Sequence, residues 1–313
     1  MSHLKQAQVS DSDAGARVDV FICKAFGLSR ATAKALTEAG EVRVDGKRAR
    51  KGERLILGAS VSVQVPSGER APTPDAEAAL SVLLSDTHLV FIDKPAGAPS
   101  HPLKSGERGT VANALVARFP ECATASTDPR EGGLAHRLDT DTSGVMVAAR
   151  DADTWEKLRA RFTDRAVEKQ YWALVAGPLA DAGELGFPLK QRKDRVDTAL
   201  EGDPDAREAK STFRVLARAG DVSLVEVTLL TGVMHQVRAH LAAIGAPLIG
   251  DALYGGRPGP TRFLLHARAL GFVHPVTGHP VRVEAPLPKD FAAEFERQGL
   301  QLPPTVRDEL LST

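Results

Sequence analysis

Apolar and polar positions alternate in distinct ways along this chain, and each way predicts different elements. Residues 17 to 65 read as a compact helix–helix–hairpin unit. Ser29 is placed to cap a helix over 30–39, and Gly40 supplies a left-handed stop. Val42-Arg43-Val44 then alternates as a strand and meets Asp45-Gly46, a strong hairpin-turn signal, before Val61-Ser62-Val63-Gln64-Val65 alternates again. From 66 to 79 apolar residues thin out among Pro, Gly and charge, which predicts a linker. A body follows from about 80 to 295. Residues 82–84, 89–92, 144–149, 171–175 and 222–227 read as strands, and Trp155, Leu158 and Phe162 share one face of a helix. Strands outnumber helices and lack regular βαβ alternation. The expected class is therefore α+β, with a mostly antiparallel mixed sheet behind a small N-terminal α/β unit over 15–65. Residues 296–313 are expected to form a C-terminal tail.

Composition adds a compartment and a partner. With 42% hydrophobic and 26% charged residues the chain has the make-up of a soluble globular protein, and no apolar run approaches bilayer-spanning length. The first fifteen residues are polar and lack the apolar core of a secretory signal. Two cysteines, Cys23 and Cys122, make no disulfide framework and fit no zinc spacing, so a reducing cytoplasm is expected. Net charge is zero, but residues 15–65 carry ten Lys/Arg against five acids, leaving that segment at +5 and the remainder at −5. Arg30, Lys34, Lys47 and Arg48 crowd the helix start and the turn, where they can meet phosphates together. This segment resembles the αL-motif RNA-binding domain first known from small-subunit ribosomal protein S-four, which implies affinity for RNA without chemistry.

Three strings carry chemistry. His136-Arg137-Leu138-Asp139 is followed by Thr142-Ser143-Gly144 and an aliphatic run; then come Lys169-x-Tyr171-x-Ala173 and Thr231-Gly232-x-x-His235-Gln236-Val237-Arg238. An isolated Asp ahead of a strand is usually a turn cap, and an isolated strand Tyr is usually core. In this fixed order they resemble the active-site segments of pseudouridine synthases of the RluA type. Lys94-Pro95-Ala96-Gly97, Gly250-Asp251 with Tyr254-Gly255, and Leu264-Leu265-His266-Ala267 extend the resemblance over nearly the whole chain.

The resemblance implies that Asp139 is the catalytic aspartate in converting uridine to pseudouridine within RNA. It makes Tyr171 the ring that stacks on uracil, and Arg238 the guanidinium that holds the carboxylate through paired hydrogen bonds. Arg137 is implied to enter the RNA stack, and His136, Thr142 and Gln236 to line the substrate. No cofactor is expected, since the isomerisation involves no redox step and the chain has no phosphate loop or dinucleotide fingerprint. His136, His235, His240 and His266 lack metal-ligand spacing, so no metal is expected either. One departure stands out, because Val233-Met234 occupies the place of the family's usual arginine and small polar residue. The implied partner is large-subunit ribosomal RNA bound by a monomer, with transfer RNA as the other substrate. A non-catalytic RNA-binding assembly factor is the competing reading. A glycoside hydrolase would want two flanking carboxylates and leaves the other motifs unexplained.

Overall fold

The computed structural model describes residues 2–28, 30–66, 71–104, 106–301 and 304. Two compact units are present, one comprising the chain up to Ala71 with a short piece at Lys104, the other the rest from Pro72 onward. The first contains β1 (Ser2–Gln8), α1 (Val18–Phe26), α2 (Arg30–Ala39), β2 (Val42–Val44), β3 (Lys47–Arg48) and β4 (Ser60–Pro66), with sheet order β1-β4-β2-β3. Asp45 and Gly46 both take positive φ, 48° and 78°, the mirror-image turn whose twist suits a tight hairpin. Val18, Phe21, Ile22, Leu36, Val42, Val61 and Val63 close a core between helices and sheet. Ser29, expected as the α2 cap, lies outside the described residues.

This unit starts earlier than residue 15. Strand β1 pairs antiparallel with β4 from Ser2↔Pro66 to Gln8↔Ser60. Its sequence is mostly polar, and an edge strand held by main-chain hydrogen bonds needs no alternating apolar face. The expected linker is likewise held down beyond Ala71. Asn113 donates from Nδ2 to the Thr73 carbonyl at 2.8 Å, and Asp75 accepts from Gly109 N–H at 3.2 Å and donates its own N–H to the Asn113 carbonyl at 3.1 Å.

The second unit runs β5 (Ser81–Ser85), β6 (Leu89–Lys94), α3 (Val111–Arg118), β7 (Ser143–Ala149), α4 (Ala152–Thr163), β8 (Val167–Ala176) and β9 (Ala182–Leu185). There follow β10 (Leu189–Gln191), β11 (Val196–Thr198), β12 (Ala206–Arg207), β13 (Ser211–Ala219) and β14 (Val222–Leu229). Last come α5 (Gln236–Ala243), β15 (Leu265–Val273), β16 (Pro280–Glu284) and α6 (Lys289–Gln298). A mixed sheet is ordered β5-β6-β7-β15-β8-β14-β13-β9, with β16 on β15, and β10–β12 form a small sheet of their own. Only β7 and β15 run parallel; the other pairs in the large sheet are antiparallel. The fold is α+β with a mostly antiparallel sheet.

The parallel seam places the chemistry. At Gly144 φ is +115°, and a Cβ there would meet the Ala267 carbonyl oxygen at 2.2 Å, so only glycine lets β15 approach. Successive residues of β8 face opposite sides. Tyr171 packs between two apolar cores, while Trp172 is buried against α6 with Phe291 and Phe295. Helix α6 and the buried Leu300 therefore belong to the body, which runs past the expected end at 295. Among the described residues no helix is long and apolar enough to cross a membrane.

Candidate active site

The segment leading into β7 is clamped from every side. Trp155 and Arg159 on α4 donate to the carbonyls of Leu134 (3.1 Å) and Ala135 (2.7 Å). Lys94, 1% exposed, directs its ammonium to three carbonyls, Pro95, Ala98 and Thr140, at 2.7–2.9 Å. Gly97 N–H also donates to the Thr140 carbonyl. Ser100 Oγ donates to the Leu138 carbonyl and accepts the Leu138 N–H, at 2.8 and 3.1 Å. Arg262, itself paired with Asp290, donates to the Asp141 carbonyl at 2.9 Å. The Thr142 N–H then closes a turn onto the Asp139 carbonyl. Backbone anchors on 138, 140, 141 and 142 leave the Asp139 side chain with little freedom, the preorganisation a positioned reactive group requires.

Asp139 lines a cleft of about 540 Å³ together with Arg137, Thr142, Lys169, Tyr171, His235 and Arg238. Arg238 Nη1 donates to Asp139 Oδ2 at 3.3 Å. The paired hydrogen bonds expected between these two go elsewhere. Arg238 forks onto Asp251, Nε to Oδ2 at 2.7 Å and Nη2 to Oδ1 at 2.8 Å, with both side chains buried. The guanidinium turns its Nε–Nη2 edge to the deeper carboxylate, which leaves Nη1 for Asp139. The Arg238 carbon sits 4.1 Å from the Phe263 ring centre and 5.0 Å from that of Tyr254. Burial works against the Arg238 charge, but Asp251 and Asp139 outweigh it and hold the group above its ordinary pKa.

His235 Nε2 stands 3.8 Å from Asp139 Oδ1, beyond hydrogen-bond reach. Its Nδ1 lies 3.1 Å from the Tyr254 hydroxyl, which also accepts the Val196 N–H at 2.9 Å. Burial lowers the His235 pKa, with the nearby Asp139 opposing. Burial, and then the Asp139 charge, push the Tyr171 phenol above its usual range.

The remaining expected residues divide. Arg137 is exposed and lines the cleft. Thr142 is buried beside Asp139, and its Oγ1 has no hydrogen-bond partner among the described residues. His136 lines the cleft, but its ring stacks on Phe162 at 4.8 Å and its Nε2 accepts the Val147 N–H at 3.2 Å. Burial, with Lys169 and Arg159 adding to it, holds that imidazole neutral, its pKa down to about 3. Gln236 is fully committed within the protein. Its carbonyl accepts from Thr231 Oγ1 and Val233 N–H, and its amide donates to the Lys210 carbonyl and Ser211 Oγ. These bonds make it a brace for the loop ahead of α5, and it also borders the cleft. Val233 and Met234 pack with Leu189, Val196 and Ala239, fastening the β10–β12 sheet. Arg30, Lys34, Lys47 and Arg48 belong to the first unit and are exposed; Arg48 Nη2 donates to the Glu38 carbonyl at 3.0 Å.

Asp251, Lys94 and Tyr254 carried a signal in the sequence, since each sits inside a motif noted above. Ser100 and Arg262 carried none, because their partners, carbonyls and for Arg262 also Asp290, are distant in sequence.

Residues 88–243 match the family model described as RNA pseudouridylate synthase. The chain is 37% identical over 306 residues to a protein of Xanthomonas campestris pv. campestris named ribosomal large subunit pseudouridine synthase D, covering 92% of this chain and 91% of the relative. A protein of the same name from Pseudomonas aeruginosa is 33% identical, covering 92% and 93%. Among solved structures, human RNA pseudouridylate synthase domain containing 4 superposes with a TM-score of 0.59 at 26% identity, covering 71% of this chain and 94% of that one.

Proposed function

The chain belongs to the RNA pseudouridylate synthase family, and from that membership we propose that it isomerises specific uridines of large-subunit ribosomal RNA, with Asp139 as the catalytic carboxylate. The observation that carries the residue assignment is the Asp139–Arg238 ion pair at 3.3 Å, in the cleft that Tyr171 also lines. Enzymes of this family isomerise uridine, so the overall reaction follows from membership. The assignment of side chains and the choice of RNA are the proposal.

In this reading the target uridine leaves its stack at a cost of a few kcal/mol, offset by phosphate contacts and by Arg137 entering the gap. Arg238, fixed from behind by Asp251, orients the Asp139 carboxylate. Tyr171 packs on the uracil ring, and its phenol remains protonated throughout the working range of pH. Thr142 Oγ1, unpartnered beside Asp139, is the group that a bound nucleotide satisfies. His136 shapes the cleft wall as a neutral ring. The first unit supplies affinity as an αL-motif RNA-binding domain through Arg30, Lys34, Lys47 and Arg48. The ribosomal substrate rests on the names of the relatives, and in this reading the protein acts in the cytoplasm as a monomer.

The test is carbodiimide mapping of pseudouridine in ribosomal and transfer RNA from cells carrying the wild-type protein or Asp139→Asn. Loss of signal at discrete large-subunit positions is expected, with RNA affinity in a salt-controlled titration unchanged within about threefold, because phosphate contacts dominate affinity. Loss confined to transfer RNA would move the substrate. Equal signal in both strains would leave an RNA-binding assembly factor.

A further inference from the structure

One cation in the cleft has donors that the protein leaves open. Lys169 lies two residues before Tyr171 on β8, so both side chains project from the same face of the strand. It is 9% exposed and lines the cleft. Its ammonium donates to the Thr231 carbonyl at 2.9 Å, and no second acceptor is found among the described residues. The other cations of the cleft are differently placed. Arg238 is shared between Asp251 and Asp139, Arg159 donates to Ala135 and covers the Trp155 ring, and Arg137 is exposed. Burying an ammonium with one acceptor costs free energy, and proteins retain such a group where an anion is to be met.

We infer that Lys169 is a catalytic residue whose ammonium donates a hydrogen bond to a carbonyl oxygen of the flipped uracil and stabilises the negative charge that forms there. The inference rests on the functional reading above. It holds whichever way Asp139 acts. If the C1′–N1 bond breaks, its electron pair leaves on N1 and spreads to O2 and O4. Meanwhile C1′ bonds to the Asp139 carboxylate, or the sugar loses its 2′ proton to that carboxylate and becomes a C1′=C2′ alkene. If the carboxylate instead adds to C6, the pair moves through C5 to O4 as an enolate. C5 then bonds to C1′ as the C1′–Asp139 bond breaks, or as the alkene takes its 2′ proton back from the carboxylate, and the C5 proton leaves while N1 takes up a proton. In the C6 adduct the C1′–N1 bond breaks as C1′ passes to C5, N1 takes up a proton, and loss of the C5 proton expels the carboxylate from C6. Each route withdraws the charge from the oxygens at the end. A fixed cation next to those oxygens stabilises the transition state more than the neutral base.

The surroundings give the test a pH signature. Burial, with Arg165 adding to it, lowers the Lys169 pKa to about 8. His136, Arg159, Asp139, Tyr171, His235 and Arg238 also border the cleft. Of these, His136 and His235 have lowered pKa values, and Tyr171 and Arg238 have raised ones. Protonated Lys169 is present below its pKa, so single-turnover rates should be level below pH 8 and fall about tenfold per pH unit above it.

The experiment measures single-turnover pseudouridine formation and RNA affinity from pH 6 to 10, using ribosomal RNA from cells lacking the gene. Lys169→Met is expected to lose about a hundredfold in rate, with affinity for RNA nearly unchanged. Lys169→Arg, which keeps the charge and a donor, is expected to recover part of the rate lost in Lys169→Met and to lose the alkaline limb. Wild-type-like rates in Lys169→Met, or an alkaline limb that persists in Lys169→Arg, would overturn the inference while leaving the functional reading in place. Equal loss in both variants would also overturn it, marking Lys169 as a support for the Thr231 loop. Absence of pseudouridine with the wild-type protein would fail the functional reading itself.

Discussion

At the scale of single residues, the chemistry here depends on which polar groups are left open. Gln236 and Lys94 are buried with their polar atoms bonded within the protein, and His136, half-buried, accepts the Val147 N–H. Thr142 and Lys169 retain unused hydrogen-bonding capacity in the cleft. The satisfied histidines make stability sensitive to acid. Burial brings the pKa of His136 and of His266 down to about 3, against an ordinary 6.5. Both rings are neutral in the folded state, so their contribution is complete above pH 6.5. It is lost as pH falls toward 3, because the unfolded chain takes up protons that the folded one refuses. Each ring contributes a slope of about 1.4 kcal/mol per pH unit in that window. Urea unfolding followed from pH 7 to 5 should show this loss. In His136→Gln, whose amide oxygen can still accept the Val147 N–H, the slope should become shallower. An unchanged slope would remove His136 from the account.

Among the elements, the parallel contact of β7 with β15 is the decisive junction. It joins the strand that follows Asp139 to the strand beside Tyr171, pairing Ser143 with His266 and Gly144 with Ala267. Gly144→Ala should fail there, because its Cβ would overlap the Ala267 carbonyl and the backbone sits at φ +115°. The expected cost is at least about 2 kcal/mol, visible as a lowered urea midpoint, together with loss of turnover. A variant with wild-type stability would show that β15 can retreat. Strand β15 itself escaped the sequence reading. Its buried His266 and Arg268 interrupt the apolar run, and their bonds to Ser143 and the Ala285 carbonyl are invisible in a pattern of hydrophobicity. Helix α2 was legible over 30–39, because an amphipathic face and a terminal Gly40 are local signals.

At the scale of the whole molecule, neutrality conceals a segregation of charge. If the first unit supplies affinity and the second supplies chemistry, replacing Arg30, Lys34, Lys47 and Arg48 by Ala should weaken RNA binding without changing the bound rate. Each lost phosphate contact should make the dependence of log affinity on log salt shallower by about 0.7 to 0.9. Filter binding between about 50 and 300 mM KCl reads this slope, and a wild-type slope would place the anchoring on other side chains. The small β10–β12 sheet shows the same separation of roles. Val233 and Met234 give up a charged position at the cleft and fasten that sheet instead.

Order and spacing along the chain were sufficient to identify the family and the α+β class and to single out Asp139, Tyr171 and Arg238, which the fold gathers in one cleft, because these depend on residue type and on local periodicity. The strand Ser2–Gln8, the pinning of 72–79 and the burial of α6 were decided only in three dimensions. Their partners are main-chain groups and distant apolar faces that leave no periodic trace. The same holds within the site. The sequence placed Arg238 beside Asp139, but folding gave its bidentate edge to Asp251, since a buried guanidinium settles against the carboxylate most removed from water.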